Sequence, residues 1–272
     1  MTWETELGAA LGSAVTGRDA IPSGDICAAY RVRLADGRSV FAKTNTTPNM
    51  FAGEAHGLGW LAGGSLRVPR VLGHGGSWLA LEWLELGDAP HEALGRGLAE
   101  LHLRGAPTFG LDRDNCLARL VQDNTPEPDW PTFYLERRLR PLVERGVRIG
   151  AIPDVRDRLS SLCDRLGPPE PPARLHGDLW WGNVAGCGGA AVIFDPAVYG
   201  GHREIDLAML AMFGPLPDRM IAAYEEIYPL APGWRERIPL HQLYPLAAHA
   251  VMFGGSYGAR FAAQLSQDTR LA

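Results

Sequence analysis

Cysteine is scarce in this sequence, and its spacing matches no common metal or disulfide motif. The four cysteines are Cys27, Cys116, Cys163 and Cys187, and no two of them form a Cys-x-x-Cys pair. Closely spaced cysteine pairs are typical of structural zinc sites and of small disulfide-bonded domains, so neither class is supported. We expect four reduced thiols in an intracellular protein, with Cys27 in a loop near phosphate.

Long apolar runs, a basic bias and a secretion signal are also missing. No run of about 18 apolar residues occurs, which argues against a membrane-spanning helix. The formal net charge is −5, so nothing indicates the basic face that a nucleic-acid partner requires. The N-terminus, MTWETELGAALGSA, is acidic and mildly amphipathic, unlike a secretion signal. We therefore expect a cytoplasmic protein with neither a membrane nor a nucleic-acid partner.

Residues 1–84 have the pattern of a small β-rich unit with one helix. Apolar and polar residues alternate on both sides of Asp36-Gly37 in CAAYRVRLADGRSVFAK, which predicts a hairpin. A helical stretch over about residues 50–61 follows. VPRVLG and SWLALEWLEL then predict a second pair of strands. The Gly and Pro of the next segment, ELGDAP, suit a linker.

Residues 85–272 are predominantly helical in pattern. Leu94, Leu98 and Leu101 recur on one face of an amphipathic helix, and similar spacing indicates helices within 133–143 and 155–166. The run AVIFD, ending at Asp195, predicts a short buried strand that terminates in a carboxylate. We therefore predict an α+β, two-lobed fold, with a β-rich N-lobe at residues 1–84 and a larger helical C-lobe at 85–272. Clefts between lobes are common ligand sites.

The most informative segment is HGDLWWGN, residues 176–183, because it has the H-x-D-x-x-x-x-N spacing of kinase catalytic loops. Phosphoryl transfer requires alignment of the acceptor oxygen and neutralisation of phosphate charge. Asp178 would take the proton of the acceptor hydroxyl, while Asn183 and Asp195 would supply the oxygen ligands that Mg²⁺ prefers. His-Gly-Asp alone could be a turn whose aspartate caps a helix, but Asn183 and Asp195 together favour a catalytic site.

A lysine and a glutamate in the N-lobe complete the predicted phosphate site. Lys43 ends the second hairpin strand, where kinases carry the lysine that contacts the α- and β-phosphates of ATP. Glu54, eleven residues later on the predicted helix, could hold its ammonium. A lysine at the end of a strand is commonly just an exposed charge at the edge of the sheet. The presence of Glu54 and of the downstream HGDLWWGN loop favours a phosphate-binding role instead.

Two further segments are assigned to the nucleotide by position. Ser23 and Gly24 lie where a phosphate-covering loop would lie, although G-x-G-x-x-G is lacking and a plain turn is the alternative. No G-x-x-x-x-G-K-[ST] occurs, so a Walker-type loop is absent. Glu82, Trp83 and Leu84 would lie against the adenine and pair with it through their backbone groups, or would form a simple edge strand.

The motifs resemble those of the fructosamine (ketosamine) kinase family, relatives of aminoglycoside and choline kinases. HGDLWWGN and VIFDPAVYGGHREIDLAMLAMFG carry the resemblance, and PSGDICAAYRV, VFAKTN, RVPRVLG, LALEWLEL, LGRGLAELH, DWPTFYLERRLRP and FGGSY extend it along most of the chain. The resemblance implies a protein-kinase-like fold, ATP and Mg²⁺. It also implies a small-molecule or protein-bound ketosamine acceptor that is phosphorylated on the sugar's third hydroxyl, giving an unstable product and so a protein-deglycation activity.

Several residues around these motifs have two interpretations. Trp181 stands where the family usually has serine, which could change the acceptor pocket. Trp180 could form the floor of that pocket or part of a core. For His176 and Asp206 we favour structural roles: His176 supports the loop through hydrogen bonds, and Asp206 opens the helix 207–213 and pins the loop.

Two other functions remain open. A kinase of the same fold could act on an aminoglycoside or an amino-alcohol, and an acidic acceptor pocket would favour the former. A catalytically silent nucleotide-binding regulator is the third possibility. The joint presence of Lys43, Asp178, Asn183 and Asp195 argues against it, because a protein without catalysis need not keep both the base and the metal ligands.

Overall fold

The computed structural model describes residues 2–22 and 26–268, and its N-terminal part is built around an antiparallel sheet. The strands are β1 (Val15–Ile21), β2 (Ala28–Leu34), β3 (Ser39–Thr44), β4 (Val71–His74) and β5 (Trp78–Glu82). They pair in the order β1-β2-β3-β5-β4. Helices α1 (Trp3–Ala10) and α2 (Met50–Leu61) pack on this sheet. The predicted strand pairs and the helix over 50–61 are thus confirmed.

The turn between β2 and β3 forms as the Asp-Gly pair predicts. Gly37 has φ +86°, in the left-handed region where a residue with a Cβ is strained. The Asp36 carboxylate accepts a hydrogen bond from the backbone N–H of Arg38 at 3.0 Å. The turn sets the register that places Lys43 opposite Ala29 on β2 and Leu79 on β5.

Alternation along β3 directs Lys43 towards α2. Val40 and Ala42 belong to the apolar cluster beneath α1, whereas Phe41 packs against the cluster formed with α2. Because successive side chains of a strand point to opposite faces, Lys43 lies on the same face as Phe41. The lysine is only 7% exposed there.

Helix α2 is held against the C-terminal part of the chain. A Cβ at Gly57 would lie 3.3 Å from side-chain atoms of Pro196 and Val198, so glycine permits a close approach. At the other end of the helix, the Arg104 guanidinium donates to the backbone oxygens of Leu61 and Ala62. These contacts fix the position of Glu54, which α2 carries.

The C-terminal part consists of helices and short strand pairs. The helices are α3 (His91–Leu103), α4 (Trp130–Phe133), α5 (Arg140–Arg148), α6 (Glu204–Leu210), α7 (Asp218–Glu225), α8 (Trp234–Phe253) and α9 (Tyr257–Asp268). The strands are β6 (Asn115–Leu117), β7 (Leu120–Gln122), β8 (Ala173–Leu175), β9 (Val184–Cys187), β10 (Ala190–Ile193) and β11 (Tyr199–Gly201). The pairs β6–β7, β9–β10 and β8–β11 are antiparallel.

The predicted helices are present, but two of them are irregular. The stretch 133–143 passes from α4 through a π-helical segment, Tyr134–Leu139, into α5. The stretch 155–166 forms a 3₁₀ helix over Arg156–Arg165 instead of an α-helix. Its buried Leu159 and Leu162 are three residues apart, a spacing that suits three residues per turn.

Helix α8 contains Pro245, whose missing N–H leaves a backbone carbonyl without its helical partner. The Tyr134 hydroxyl lies 3.1 Å from that oxygen, on His241, and 2.8 Å from the carbonyl oxygen of Leu240. The same hydroxyl accepts from the backbone N–H of Tyr244 at 3.1 Å. A buried tyrosine therefore compensates for the proline in the middle of this helix.

Two predicted element ends are wrong by a few residues. Strand β10 ends at Ile193, so Asp195 lies beyond it, and helix α6 begins at Glu204, so Asp206 lies inside its first turn. The boundary after residue 84 falls in a segment without regular structure and stays a prediction. Among the described residues, no helix combines the length and hydrophobicity that crossing a membrane requires.

Candidate active site

The loop after β8 is held in place by one buried carboxylate. The two oxygens of Asp206 accept from the backbone N–H groups of His176 and Gly177, at 2.8 and 3.0 Å. Gly177 has φ +81°, and a Cβ there would lie 2.0 Å from the backbone oxygen of Ala197. Only glycine fits this approach without a shift of the backbone. Asp206 thus makes the contacts expected of a residue that pins the loop.

His176 connects the same loop to the segment that carries Asp195. Its Nε2 lies 3.0 Å from the backbone oxygen of Phe194, and its Nδ1 accepts from the backbone N–H of Asp178 at 3.3 Å. Burial lowers the pKa of His176, which favours the neutral ring that these two bonds need. The ring therefore supports the loop, as expected, with both nitrogens engaged.

Asp178, Asn183 and Asp195 meet at one place. The Asn183 amide nitrogen lies 2.9 Å from the backbone oxygen of Asp178 and 3.5 Å from the backbone oxygen of Asp195. It is also 3.5 Å from the Asp178 carboxylate. Asp195 has φ +59°, in the left-handed region that only a few per cent of non-glycine residues adopt. Backbone strain of this kind clusters at functional sites.

Lys43 joins this group from the N-lobe. Its ammonium lies 2.9 Å from Oε1 of Glu54 and also contacts Oδ1 of Asp195. The contact with Glu54 agrees with the predicted pairing. The contact with Asp195 was not foreseen, because a separation of 152 positions along the chain leaves no local pattern to detect.

Negative charge is in excess around Lys43. Burial, together with Asp195 and Asp206, raises the pKa of Asp178 to about 7. Burial also raises the pKa of Glu54 to about 7, although Lys43 acts against it. Burial would lower the pKa of Lys43, but Asp195 and Glu54 outweigh it and raise that pKa. Three carboxylates thus share one ammonium, and a further cation would stabilise their charged forms.

The donor atoms here fit a magnesium ion. The Asn183 amide nitrogen is engaged with the protein, which leaves the amide oxygen as the group's free ligand atom. Asp195 contacts Lys43 through Oδ1, which leaves Oδ2. An amide oxygen and a carboxylate oxygen are hard ligands of the kind that Mg²⁺ prefers, with phosphate oxygens and water completing the shell.

The segment expected to face the adenine offers backbone groups. The Glu82 carboxylate accepts from the backbone N–H of Arg70 at 3.1 Å, and the Trp83 indole donates to Glu85 at 2.7 Å. The Arg31 guanidinium carbon lies 4.5 Å from the centre of the Trp83 ring. Both side chains are therefore engaged by neighbours, and the backbone N–H of Glu82 donates to the backbone oxygen of Arg70 at 2.9 Å. The pairing of Glu82–Leu84 with a base stays a prediction.

The predicted phosphate loop lies outside the described residues, at Ser23 and Gly24, and its role stays a prediction. The residues that follow it approach the site. Ile26 lines the cavity beside Asp178. Cys27 lies 3.7 Å from the sulfur of Met50, and burial raises the pKa of its thiol. A protonated thiol is the less reactive form of cysteine.

A cavity of about 510 Å³ opens beside Asp178. Trp180 lines it with 39% of the residue exposed, the position that an acceptor-site floor would need. Trp181 points elsewhere: its ring lies 5.7 Å from that of His91 and packs on the apolar cluster that includes Leu94 and Met220. The expectation that Trp181 could change the acceptor pocket is therefore not supported by its placement.

Much of the cavity wall was missed by sequence reasoning, because it comes from the ends of distant helices. Phe213, His249, Phe253 and Tyr257 are the aromatic members of this part of the wall. Apolar and aromatic side chains at helical spacing look like core residues in a sequence. One signal in the sequence could have indicated this wall: FGGSY, residues 253–257, is part of the family resemblance and contains Phe253 and Tyr257.

Ile205 lines this cavity, whereas the charged side chains beside it, Arg203 and Glu204, pair with other parts of the chain. Arg203 forms two hydrogen bonds with Glu170, at 2.8 and 2.9 Å. Glu204 accepts two from Arg237, at 2.8 and 2.6 Å. Except for Asp206, these side chains hold parts of the C-lobe together and do not contact the residues around Asp178.

Known proteins of similar sequence are named as ketoamine kinases. The "Probable ketoamine kinase" of Enterococcus faecium is 38% identical over 253 residues, covering 88% of this chain and 91% of that protein. The "Probable ketoamine kinase" of Escherichia coli K12 is 37% identical over 273 residues, covering 94% and 93%.

Solved structures agree with this grouping. The crystal structure of a proposed fructosamine-3-kinase from Thermobifida fusca superposes with a TM-score of 0.91 at 40% identity, covering 99% of each chain. An aminoglycoside phosphotransferase complex with ADP and hygromycin B superposes at 0.61 with 15% identity, covering 98% of each chain, and shares the two-lobed protein-kinase-like fold. The fructosamine kinase family model matches residues 2–269. The chain belongs to the fructosamine kinase family.

Proposed function

We propose that this chain is an ATP-dependent kinase that phosphorylates a sugar hydroxyl of ketosamines, in which a sugar has become a 1-amino-1-deoxyketose on an amine. The family and the names of its relatives support this acceptor class. The observation that carries the proposal is the meeting of Asp178, Asn183 and Asp195 beside Lys43, at one end of an open cavity.

Asp178 is the proposed catalytic base. Its carboxylate accepts a hydrogen bond from the acceptor hydroxyl, which the family resemblance places on the third carbon of the sugar. As the oxygen bonds to the γ-phosphorus, the hydroxyl proton passes to Asp178 and the bond to the bridging oxygen breaks, releasing ADP. A pKa of about 7 lies near neutral pH. A general base works best when its pKa is close to the pH at which the enzyme operates.

Lys43 is proposed to hold the α- and β-phosphates of ATP, with its ammonium oriented by Glu54. Phosphate oxygens would replace Asp195 as its second partner. Asn183 and Asp195 would then hold Mg²⁺, which when bound neutralises charge on the phosphates. The backbone of Glu82–Leu84 would pair with the adenine edge, and Ser23 and Gly24 would cover the phosphates.

The cavity favours a ketosamine over a polycationic aminoglycoside. Among the described residues that line it, Asp178 is the charged one, and the other lining residues are mainly apolar or aromatic. A pocket for several ammonium groups would need several carboxylates to compensate their charge. We propose that the resulting phosphosugar product decomposes and frees the amine, so that the activity removes glycation in the cytoplasm.

The test is an acceptor screen with purified protein, ATP and Mg²⁺. ADP release is measured with synthetic fructosamines and ribulosamines, with aminoglycosides and with choline, and a reaction without acceptor gives the hydrolysis background. We expect turnover of ketosamines well above background, and mass spectrometry should find one added phosphate on the sugar. If only an aminoglycoside or choline is turned over, that compound replaces ketosamines as the proposed acceptor. If ATP is only hydrolysed, the proposal that a ketosamine is the acceptor fails.

A further inference from the structure

An aromatic surface forms the outer part of the cavity beside Asp178. We call Phe213, His249, Phe253 and Tyr257 the aromatic wall. The ring of His249 lies 5.9 Å from that of Phe213, 5.6 Å from that of Phe253 and 5.0 Å from that of Tyr257. The ring of Trp180 in turn lies 5.8 Å from that of Phe213. A row of rings therefore runs from the loop that carries Asp178 to the start of α9.

The wall is open to a ligand. Phe213 and Phe253 are each 46% exposed, in a protein whose other phenylalanines are mostly buried. They share one cavity with Asp178, so the exposed rings form a continuous surface with the reacting end of the site. Contiguous exposed apolar surface of this kind is typical of ligand-binding grooves.

The charge distribution along the wall is uneven. Asp178 provides negative charge at the inner end. At the outer end the guanidinium carbons of Arg119 and Arg260 lie 5.9 Å from the ring centres of Phe253 and Tyr257. The middle has no formal charge of its own: His249 donates from Nδ1 to the backbone oxygen of Pro245 at 2.7 Å, and burial lowers its pKa. The uncharged rings in the middle of the wall suit an apolar substituent of a ligand. A ring face can also bind an ammonium group.

We propose that the aromatic wall binds the amine half of the acceptor, and that the chain therefore prefers ketosamines built on long aliphatic or aromatic amines. This inference rests on the proposed function. In a ketosamine the amine lies only a few bonds from the phosphorylated hydroxyl. When that hydroxyl is at Asp178, the amine substituent extends along the cavity, where the wall lies. The butyl arm of a glycated lysine fits the same description.

The test compares kcat/KM for fructose adducts of glycine, n-butylamine and phenethylamine. We expect the phenethylamine adduct to exceed the glycine adduct by roughly 10-fold or more, because an aromatic ring and its linker are removed from water. Phe213→Ala and Phe253→Ala should each reduce that ratio several-fold, mainly through KM. Ile149→Ala removes an apolar side chain that is also exposed, at 57%, but lies outside the cavity, and it should leave the ratio unchanged.

The outcomes separate this inference from the proposed function. Equal kcat/KM values for all three adducts would overturn the inference while leaving ketosamine kinase activity in place. Turnover of none of them would overturn both. Thermal melting of each variant shows that it is folded, and phenethylamine as a competitive inhibitor gives a second readout that needs no turnover. Comparison of the free lysine adduct with a glycated protein distinguishes the two sources of a butyl arm.

Discussion

Two clusters of charged and polar side chains, one partly exposed and one buried, invite comparison, because both contain the side chains that metal sites use. The first, which we call the catalytic cluster after its proposed role, consists of Lys43, Glu54, Asp178, Asn183 and Asp195. The histidine cluster consists of His202, Glu204 and His241, whose potential ligand atoms all lie within 4.8 Å of one another. By spacing alone, the histidine cluster is a plausible site for a metal such as zinc.

The two clusters differ in charge balance. In the histidine cluster Arg237 donates to both oxygens of Glu204, and the rings of His202 and His241 stack at 5.3 Å. Burial lowers the pKa of His202 to about 3. Burial would raise the pKa of Glu204, but the nearby His241 and Arg237 outweigh it and lower that pKa to about 2. Its charge is thus already compensated, whereas the catalytic cluster has more carboxylates than cations. Charge balance, more than donor geometry, therefore favours the catalytic cluster as the place where we propose that a metal binds.

The largest expected effect is on turnover. Asp178→Asn keeps the shape of the side chain but removes the proton acceptor, so we expect kcat to fall by about 10³-fold. The affinity for ATP should stay nearly unchanged, because Asp178 faces the acceptor. Steady-state kinetics and a nucleotide titration check both statements. Unchanged turnover would remove the assignment of the base.

The next largest effect is on stability, at the other cluster. Arg237→Met leaves the buried carboxylate of Glu204 without the guanidinium that contacts both of its oxygens, so we expect the free energy of unfolding to fall by about 3 kcal/mol. Adding Glu204→Gln removes the unpaired charge and should restore much of that loss. Urea denaturation gives the free energy of unfolding of the native protein, of Arg237→Met and of the double variant. The change at an exposed arginine, Arg235→Met, is the control. If Arg237→Met lowers the free energy of unfolding no more than the control does, the Arg237–Glu204 pair is not needed for stability.

Metal dependence should respond at the catalytic cluster. Asp195→Asn removes an anionic oxygen, so the Mg²⁺ concentration for half-maximal rate should rise on the order of 10-fold or more. The measurement is a Mg²⁺ titration at saturating ATP, and Asp112→Asn, at an exposed carboxylate, serves as the control. The same Mg²⁺ requirement in both variants would count against Asp195 as a ligand.

Acid should act on the two clusters in opposite directions. The folded protein keeps His202 neutral with a pKa near 3, below its ordinary 6.5, so its contribution to stability is lost as pH falls below 6.5. Asp178 has its folded pKa raised to about 7 from 3.8, so the folded state gains stability as pH falls from 7 towards 3.8. Each contribution changes by about 1–2 kcal/mol between pH 7.5 and pH 5.5.

Melting temperatures at these two pH values, without Mg²⁺, test that contrast. His202→Gln should lose less stability on acidification than the native protein, and Asp178→Asn should lose more, by a few degrees each. Changes of the same sign in both variants would contradict the assignment of one pKa shift.

The smallest expected effect is the response of the native histidine cluster to zinc. Because Arg237 occupies both oxygens of Glu204, Zn²⁺ should change the melting temperature by no more than about 1 °C. A rise of several degrees that disappears in His241→Ala would show that this cluster binds metal despite its neutralised charge.

The catalytic cluster was more predictable from sequence than the histidine cluster. Asp178 and Asn183 belong to one loop, and Lys43 and Glu54 belong to one strand–helix unit. A local sequence pattern is therefore enough to predict that the members of each pair lie close together. Arg237 lies 33 residues from Glu204, and their pairing depends on how α6 and α8 pack.

The same limit applies to conformations and to the cavity wall. The positive φ of Asp195 reflects how the segment after β10 is held by neighbouring elements, which spacing cannot reveal. The aromatic wall is assembled from helix ends that meet only in three dimensions. The two-lobed fold was accessible because hairpin and helix signals are local and strong.

The attachment of α2 has a consequence for control of the enzyme. The lack of a side chain at Gly57 lets the helix pack closely on Pro196 and Val198, and Arg104 binds its last carbonyl groups; this packing places Glu54 against Lys43. In kinases where the corresponding helix moves, that ion pair is the element that activation switches. Here the packing of α2 holds the pair together. We therefore expect the rate in the cell to follow the supply of substrate instead of a movement of α2.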